Sequence, residues 1–307
     1  MAGSRKMKDL SGKNIKLYLV DGTPQGLMTL EVINWTGHVL VAPRTKIAEL
    51  IKRKEMDRTG LYFLSDTALG RNTEKPVVYI GQSDKAGTRL MQHEDKQFWD
   101  RVCVITSKDQ NLTTAHVKYL ESRLISIVST AGIAKLANDK KPVFDRLPEG
   151  DKADMEYFIS QIKLVMPILG LDILRDKPQV SKGAPTFEIE VKKHDIKAKA
   201  KEVGADFILL AGSETQPRWV GITDDGYRKK LEALISDKKI IVDTALNKGI
   251  VQEDIPFTSP SAAAAVVLGR SSNGRVEWKL LGDSKTYQDW QGEQVAKALV
   301  EKGAVSG

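Results

Sequence analysis

Apolar and polar residues alternate from residue 15 to residue 43 around Asp21-Gly22 and Thr36-Gly37, which predicts a small β-meander. Residues 48–54 read as a short basic helix. Strands are predicted at 60–64 and 77–80, joined by a polar loop with Gly70, Asn72 and Pro76, and again at 101–106. Between the last two, a short helix carries Arg89 and His93 one turn apart. Asn111 or Thr113 caps a long helix that runs to about residue 129 and stops at Gly132. Further on, Met155, Phe158, Ile159, Ile162, Val165 and Leu169 recur at helical spacing, with Pro167 as a kink.

The segment 177–185, with Pro178, Ser181, Gly183 and Pro185, is the best candidate for a linker. Beyond it, strands are expected at 187–191 and 207–211, with a lysine-rich helix at 195–203 between them. An amphipathic helix follows at 227–235. Ser259-Pro260 starts a helix that ends at Gly269, and Asn273-Gly274 turns the chain into a strand at 275–281. The expected class is α+β. The predicted parts are an N-terminal β-rich segment (1–56), a central domain (57–146), a helical connector with linker (147–180) and a separate C-terminal α+β domain (181–307).

The 307 residues allow two domains, and 41% apolar residues describe a globular chain. The formal net charge of +7 tilts the reading toward an anionic partner, although so small a surplus is common in proteins that bind nothing acidic. The single cysteine, Cys103, sits in the apolar run Val102-Cys103-Val104-Ile105, which excludes a disulfide framework or a zinc cluster within the chain. Residues 1–10 have no apolar core of a secretory signal. The longest apolar stretch, 164–174, is too short to span a bilayer and holds Pro167 and Asp172. A cytoplasmic protein without a membrane partner is expected.

The long helix carries the most informative residue. Val117, Leu120, Leu124, Ile125, Ile127 and Val128 form one stripe, and Glu121 falls inside it. A carboxylate facing a core costs several kcal/mol and needs a cation, a metal or strong hydrogen-bond donors. It is therefore either an ion-pair partner of an arginine such as Arg89 or a divalent-metal ligand at the rim of a cleft. Taken singly, Arg89 and His93 read as a solvated helix face, and Tyr62 and Tyr79 as strand packing. Together with Gly81, which permits close approach, they supply a base, a phosphate clamp and a metal ligand. His116 lies off the stripe and reads as a surface or supporting residue.

Gly60-Leu61-Tyr62 followed by Tyr79-Ile80-Gly81 resembles the signature of the GIY-YIG nuclease superfamily, with leucine for the middle isoleucine. Arg89, His93 and Glu121 match that family's functional arginine, histidine and metal-binding glutamate in order and approximate spacing. The resemblance covers residues 60–138, with a longer loop between the tyrosines than compact members have. The whole chain also resembles GIY-YIG proteins with a C-terminal domain of unknown function. In that domain, 259–264 and 273–278 are similar to a module found beside restriction and DNA-modification enzymes.

The resemblance implies a central antiparallel sheet flanked by helices and a metal-dependent endonuclease acting on nucleic acid, with DNA favoured. Tyr62 would deprotonate water with help from His93, and Arg89 would hold the phosphate. Tyr79 would orient it, Gly81 would admit it, and Glu121 would carry one Mg2+ or Mn2+. The alternative is a nucleic-acid-binding or interaction protein of a restriction or defence system that does not cut. A metabolic enzyme lacks support, since Gly212-Ser213 fits no phosphate loop. In the C-terminal domain Lys192, Lys193, Lys197, Lys199 and Lys201, with Arg228, Lys229 and Lys230, are either phosphate contacts or solvated faces. Trp219, Trp278 and Trp290 are core residues or stacking platforms, with core favoured for Trp278 in its expected strand.

Overall fold

The computed structural model describes residues 12–66, 75–91, 96–109, 111–140, 142–175, 183–222 and 226–305. The chain divides into two compact units, Met1–Asp176 and Lys177–Gly307, of mixed α+β character. Most of the expected linker, and the loop with Gly70 and Asn72, lie outside the described residues.

In the first unit the strands are β1 (Ile15–Leu19), β2 (Met28–Val32), β3 (Gly37–Pro43), β4 (Gly60–Ser65), β5 (Val77–Ser83), β6 (Arg101–Ser107) and β7 (Lys135–Leu136). The helices are α1 (Ile47–Ile51), α2 (Ala86–Met91), α3 (Thr114–Ala131) and α4 (Glu149–Val165). All seven strands form one sheet in the order β1-β2-β3-β6-β4-β5-β7. The N-terminal meander is therefore continuous with the sheet of the central segment, through full antiparallel pairing of β3 with β6. Pairings are antiparallel except β5 with β7, which is parallel and reaches only Val77 and Val78.

Strand alternation builds two cores. Leu61, Phe63, Val78, Ile80, Cys103 and Ile105 face α3 and α4, while Tyr62, Leu64, Val102 and Val104 face Leu50, Met56, Ala86 and Leu90. Both faces of β6 are covered, which is why it reads as a continuous apolar run. The expected helical positions of α4 from Met155 to Val165 are all buried, and Leu169 with them. Pro167 does not kink that helix: it opens a separate 3-10 turn after α4 has ended.

Thr113 is the N-cap of α3, accepting a hydrogen bond from the His116 N–H at 3.3 Å. The His116 ring in turn accepts from the Thr113 N–H at 3.3 Å, closing a capping box. Gly132 ends the helix at a φ of 63°, a left-handed turn that favours glycine. His116 is thus committed to the helix start, with Asp151 at 3.4 Å on its other nitrogen.

The second unit holds a five-stranded sheet made of β8 (Thr186–Val191), β9 (Ile196–Val203), β10 (Asp206–Leu209), β14 (Ile255–Phe257) and β15 (Lys279–Leu280). Its order is β14-β10-β9-β8-β15. A three-stranded sheet is built from β11 (Glu214–Thr215), β12 (Ile240–Asp243) and β13 (Lys248–Val251). Four helices complete it: α5 (Tyr227–Ser236), α6 (Pro260–Leu268), α7 (Gly274–Glu277) and α8 (Tyr287–Val305).

Two sequence expectations fail here. The lysine-rich segment is the strand β9, not a helix: Ile196, Ala198 and Ala200 are buried, while Lys197 and Lys199 are exposed. That period of two suits a sheet with one covered face. Asn273 caps the short helix α7 instead of making a hairpin turn, and Trp278 ends that helix. Trp278 is still a core residue, fully buried with its indole N–H donating to the Pro260 carbonyl at 3.0 Å. Trp290 packs edge-on against Phe187, and Trp219 is partly buried against the same core.

Loss of the Thr113 hydroxyl should show how far α3 depends on its cap. We expect Thr113→Ala to cost about 1 kcal/mol of unfolding free energy in urea melts, and Thr113→Ser to cost little.

Candidate functional site

The site is built where β5 becomes an edge. An edge strand leaves every second backbone N–H and C=O without a sheet partner. β7 takes up only the first of these, through the Ala137 N–H to the Val78 carbonyl at 2.8 Å. Two residues on, the Asn138 side chain serves Ile80 twice, accepting from its N–H at 3.0 Å and donating to its carbonyl at 2.7 Å. Two residues further, the backbone amide of Gln82 favours the charged form of the Glu121 carboxylate. The edge thus aims a glutamate from α3 at the end of β5. Thr114, in the first turn of α3, donates to Asp84 just beyond that strand at 2.5 Å.

On the other face, Tyr62 of β4 lies directly across from Gly81 of β5. Its ring crosses over the glycine, so that a β-carbon at Gly81 would overlap the phenol ring and hydroxyl. Tyr79 is on the same face, stacked on Tyr62 with ring centroids 6.0 Å apart. Arg89 of α2 donates a hydrogen bond to Tyr62 and lends its charge to both Tyr62 and Glu121. Four expected residues, Tyr62, Tyr79, Arg89 and Glu121, therefore meet around Gly81. His93 lies outside the described residues.

Burial dominates the electrostatics. The half-buried Glu121 carboxyl is pushed up to about 7, because lost hydration outweighs Arg89, the Gln82 amide and Lys118. Tyr62 is fully buried, and its phenol is raised well above the ordinary range by burial and by the neighbouring Tyr79, against the opposing Arg89. Burial thus favours the neutral form of Tyr62, and Arg89 opposes it.

Residues 187–291 match a family described as a domain of unknown function, DUF4357. The match lies in the second unit. No curated protein and no solved structure matches the chain.

Among the described residues, no three His, Cys, Asp or Glu side chains form a group that could hold a metal ion. Glu121 stands as one oxygen ligand whose charge its neighbours leave undercompensated. That donor set fits a hard cation such as Mg2+ or Mn2+ arriving with substrate, since Mg2+ keeps several waters and shares phosphate oxygens.

Sequence reading missed two neighbours of the site. Asn138 looks like any loop asparagine until β7 is seen to stop short. Lys96 belongs to a polar run, yet its ammonium lies 4.5 Å from the centre of the Tyr79 ring. Neither carries a periodic signal.

Two of the second unit's lysines, read from the sequence as either phosphate contacts or solvated faces, lie across the sheet from glutamates. Glu190 and Glu188 of β8 lie opposite Lys197 and Lys199, with 3.3 Å between Lys197 and Glu190. Among the described residues no helix is long and apolar enough to cross a membrane.

Two outcomes follow from this geometry. Gly81→Ala should destabilise the first unit by about 1–3 kcal/mol, because the methyl and the buried Tyr62 ring need the same space; differential scanning calorimetry reads it. For Glu121, a folded pKa of about 7 above the ordinary 4.5 means that protonation favours the fold. This stabilisation is full below about 4.5 and is lost as pH rises through about 7. Without divalent ions, Glu121→Gln should therefore melt at or above the wild-type temperature at pH 8. A structural ion pair with Arg89 would give the reverse.

Proposed function

We propose that the first unit is a metal-dependent endonuclease of the GIY-YIG type, hydrolysing phosphodiester bonds in nucleic acid, with DNA the first substrate to test. The observation that carries this reading is the meeting of Tyr62, Tyr79, Arg89 and Glu121 at the open end of β5, around a glycine that Tyr62 itself requires. Arg89 is an exposed guanidinium suited to two non-bridging phosphate oxygens. As charge builds on those oxygens during attack, the same contact strengthens. Tyr79, half exposed, offers its ring and hydroxyl to orient the phosphate.

Tyr62 is the acceptor for the attacking water's proton. Its hydroxyl must first lose its own proton, and Arg89 is the group in place that makes this less costly. Arg89 keeps its contact with that oxygen while its other N–H groups take the phosphate. Glu121 would hold the Mg2+ or Mn2+, which supplies charge for the leaving oxygen. The buried Cys103, whose thiol burial pushes up to about 12, suits a reducing, cytoplasmic setting.

A second reading draws on one specific observation, the complete burial and raised pKa of Tyr62. On that reading the unit binds nucleic acid through Arg89 without cutting it.

Cleavage of a labelled DNA duplex with Mg2+ or Mn2+ separates the two. For the nuclease, the rate should climb about tenfold per pH unit from neutral toward alkaline pH, as the small phenolate fraction grows below a raised pKa. Tyr62→Phe should lose the activity while keeping the affinity, and Glu121→Ala should lose it while staying folded. Binding without any metal-stimulated cleavage across that pH range would establish the second reading.

A further inference from the structure

The segment that returns to β6 is held by an unusual anchor. The Arg44 guanidinium donates to the Lys96 carbonyl at 2.7 Å and to the Trp99 carbonyl at 3.3 Å. It also lies over the Trp99 ring, 4.5 Å from its centre, and Trp99 is buried. The Arg44 N–H donates to the Asp100 carbonyl at 2.6 Å, so both ends of this arginine fix the same turn. An arginine whose Nη1 donates to two main-chain carbonyls while its plane lies over Trp99 places a backbone, and here it places those of Lys96 and Trp99.

Lys96 brings its ammonium over Tyr79, whose ring is stacked on Tyr62, the partner of Arg89. Among the described residues no carboxylate pairs with it. A cation–π contact at a partly exposed ring is weaker than the rotamer freedom a lysine gives up, so that contact alone leaves the placement unexplained. Two cations, one against each tyrosine of a stacked pair, suit two neighbouring phosphates of a strand better than a single phosphate.

We propose that Lys96 is a further substrate-binding residue, holding a backbone phosphate next to the one that Arg89 takes, and that Arg44 is the positioning residue for it. The inference rests on the nucleic-acid reading of the site. It adds a direction to that reading: the bound strand runs from Arg89 across Tyr79 toward the turn at Trp99.

The experiment compares wild type, Lys96→Met, Lys96→Arg, Arg44→Ala, Arg44→Lys and the double variant Arg44→Ala/Lys96→Met on a short labelled DNA duplex. Lys16→Met, on β1 at the far edge of the sheet, is the control. Lys96→Met should raise KM roughly tenfold and leave kcat within about twofold, the signature of lost uniform binding. Its log-log salt slope of affinity should flatten by about 0.9, one phosphate contact. Lys96→Arg should restore both values. If Arg44 acts through Lys96, the double variant binds no more weakly than Lys96→Met alone. Arg44→Lys, which keeps charge and loses the fork, gives the same comparison if Arg44→Ala melts early.

Wild-type KM and slope in Lys96→Met would overturn the phosphate contact while leaving the nuclease reading intact. Additive losses would overturn the positioning role of Arg44. If wild type neither cuts nor binds the duplex with any metal, the nucleic-acid reading itself falls, and this inference with it. Binding without cutting still reads the salt slope, and so still decides the role of Lys96.

Discussion

The first unit depends on how the outer edge of β5 is satisfied. A buried backbone N–H or C=O without a partner costs as much as a lost hydrogen bond, and β7 is only two residues long. Side chains must finish what the strand does not. Asn138 imitates a strand residue at Ile80, and the Glu121 carboxylate lies where the Gln82 amide favours its charged form. The second substitution differs in kind from the first, because it leaves a charged group at the rim. A short β7 thus leaves the end of β5 open where a carboxylate from α3 comes within reach of Arg89.

That arrangement carries a cost which helps to define what the site is for. An edge amide needs only a neutral acceptor, and a glutamine or asparagine would serve it without the penalty of a half-buried charge. Arg89 does not remove the penalty, since Glu121 is still pushed up to about 7. Groups held at a standing cost cluster at functional sites. The buried, neutral Tyr62 fits the same pattern from the other face, where Gly81 gives up a side chain to make room for it. One strand position therefore serves two demands, close packing inside and access outside.

Much of this was legible in the chain. The stripe of α3 was readable because helix period and burial coincide, and Glu121 stood out only because that stripe was otherwise unbroken. The strands holding Tyr62 and Tyr79 were readable from β-branched and aromatic runs. What failed was charge read as conformation: the lysines of β9 suggested a helix face, although Ile196, Ala198 and Ala200 alternate with them strictly. Lys96 and Asn138 were invisible for a different reason. Their roles are set by partners 17 and 58 residues away in sequence, and no local period encodes a long-range contact.

The same β9 lysines bear on where the chain's positive charge is left uncompensated. A surplus of +7 is a property of the whole chain, whereas phosphate responds to charge that is locally uncompensated. Glu188 and Glu190 sit across from Lys199 and Lys197 in register, and cross-strand pairs of opposite charge are ordinary sheet stabilisation. The buried Lys248 is likewise held between Asp195 at 2.9 Å and Glu214 at 3.2 Å. In the first unit the balance differs, because Arg89 is shared between a phenol and a partly protonated carboxyl, and Lys96 faces a ring. Cations answered by aromatic groups keep their field, while cations answered by carboxylates lose it. On that ground the proposed phosphate site belongs to the unit with fewer clustered lysines.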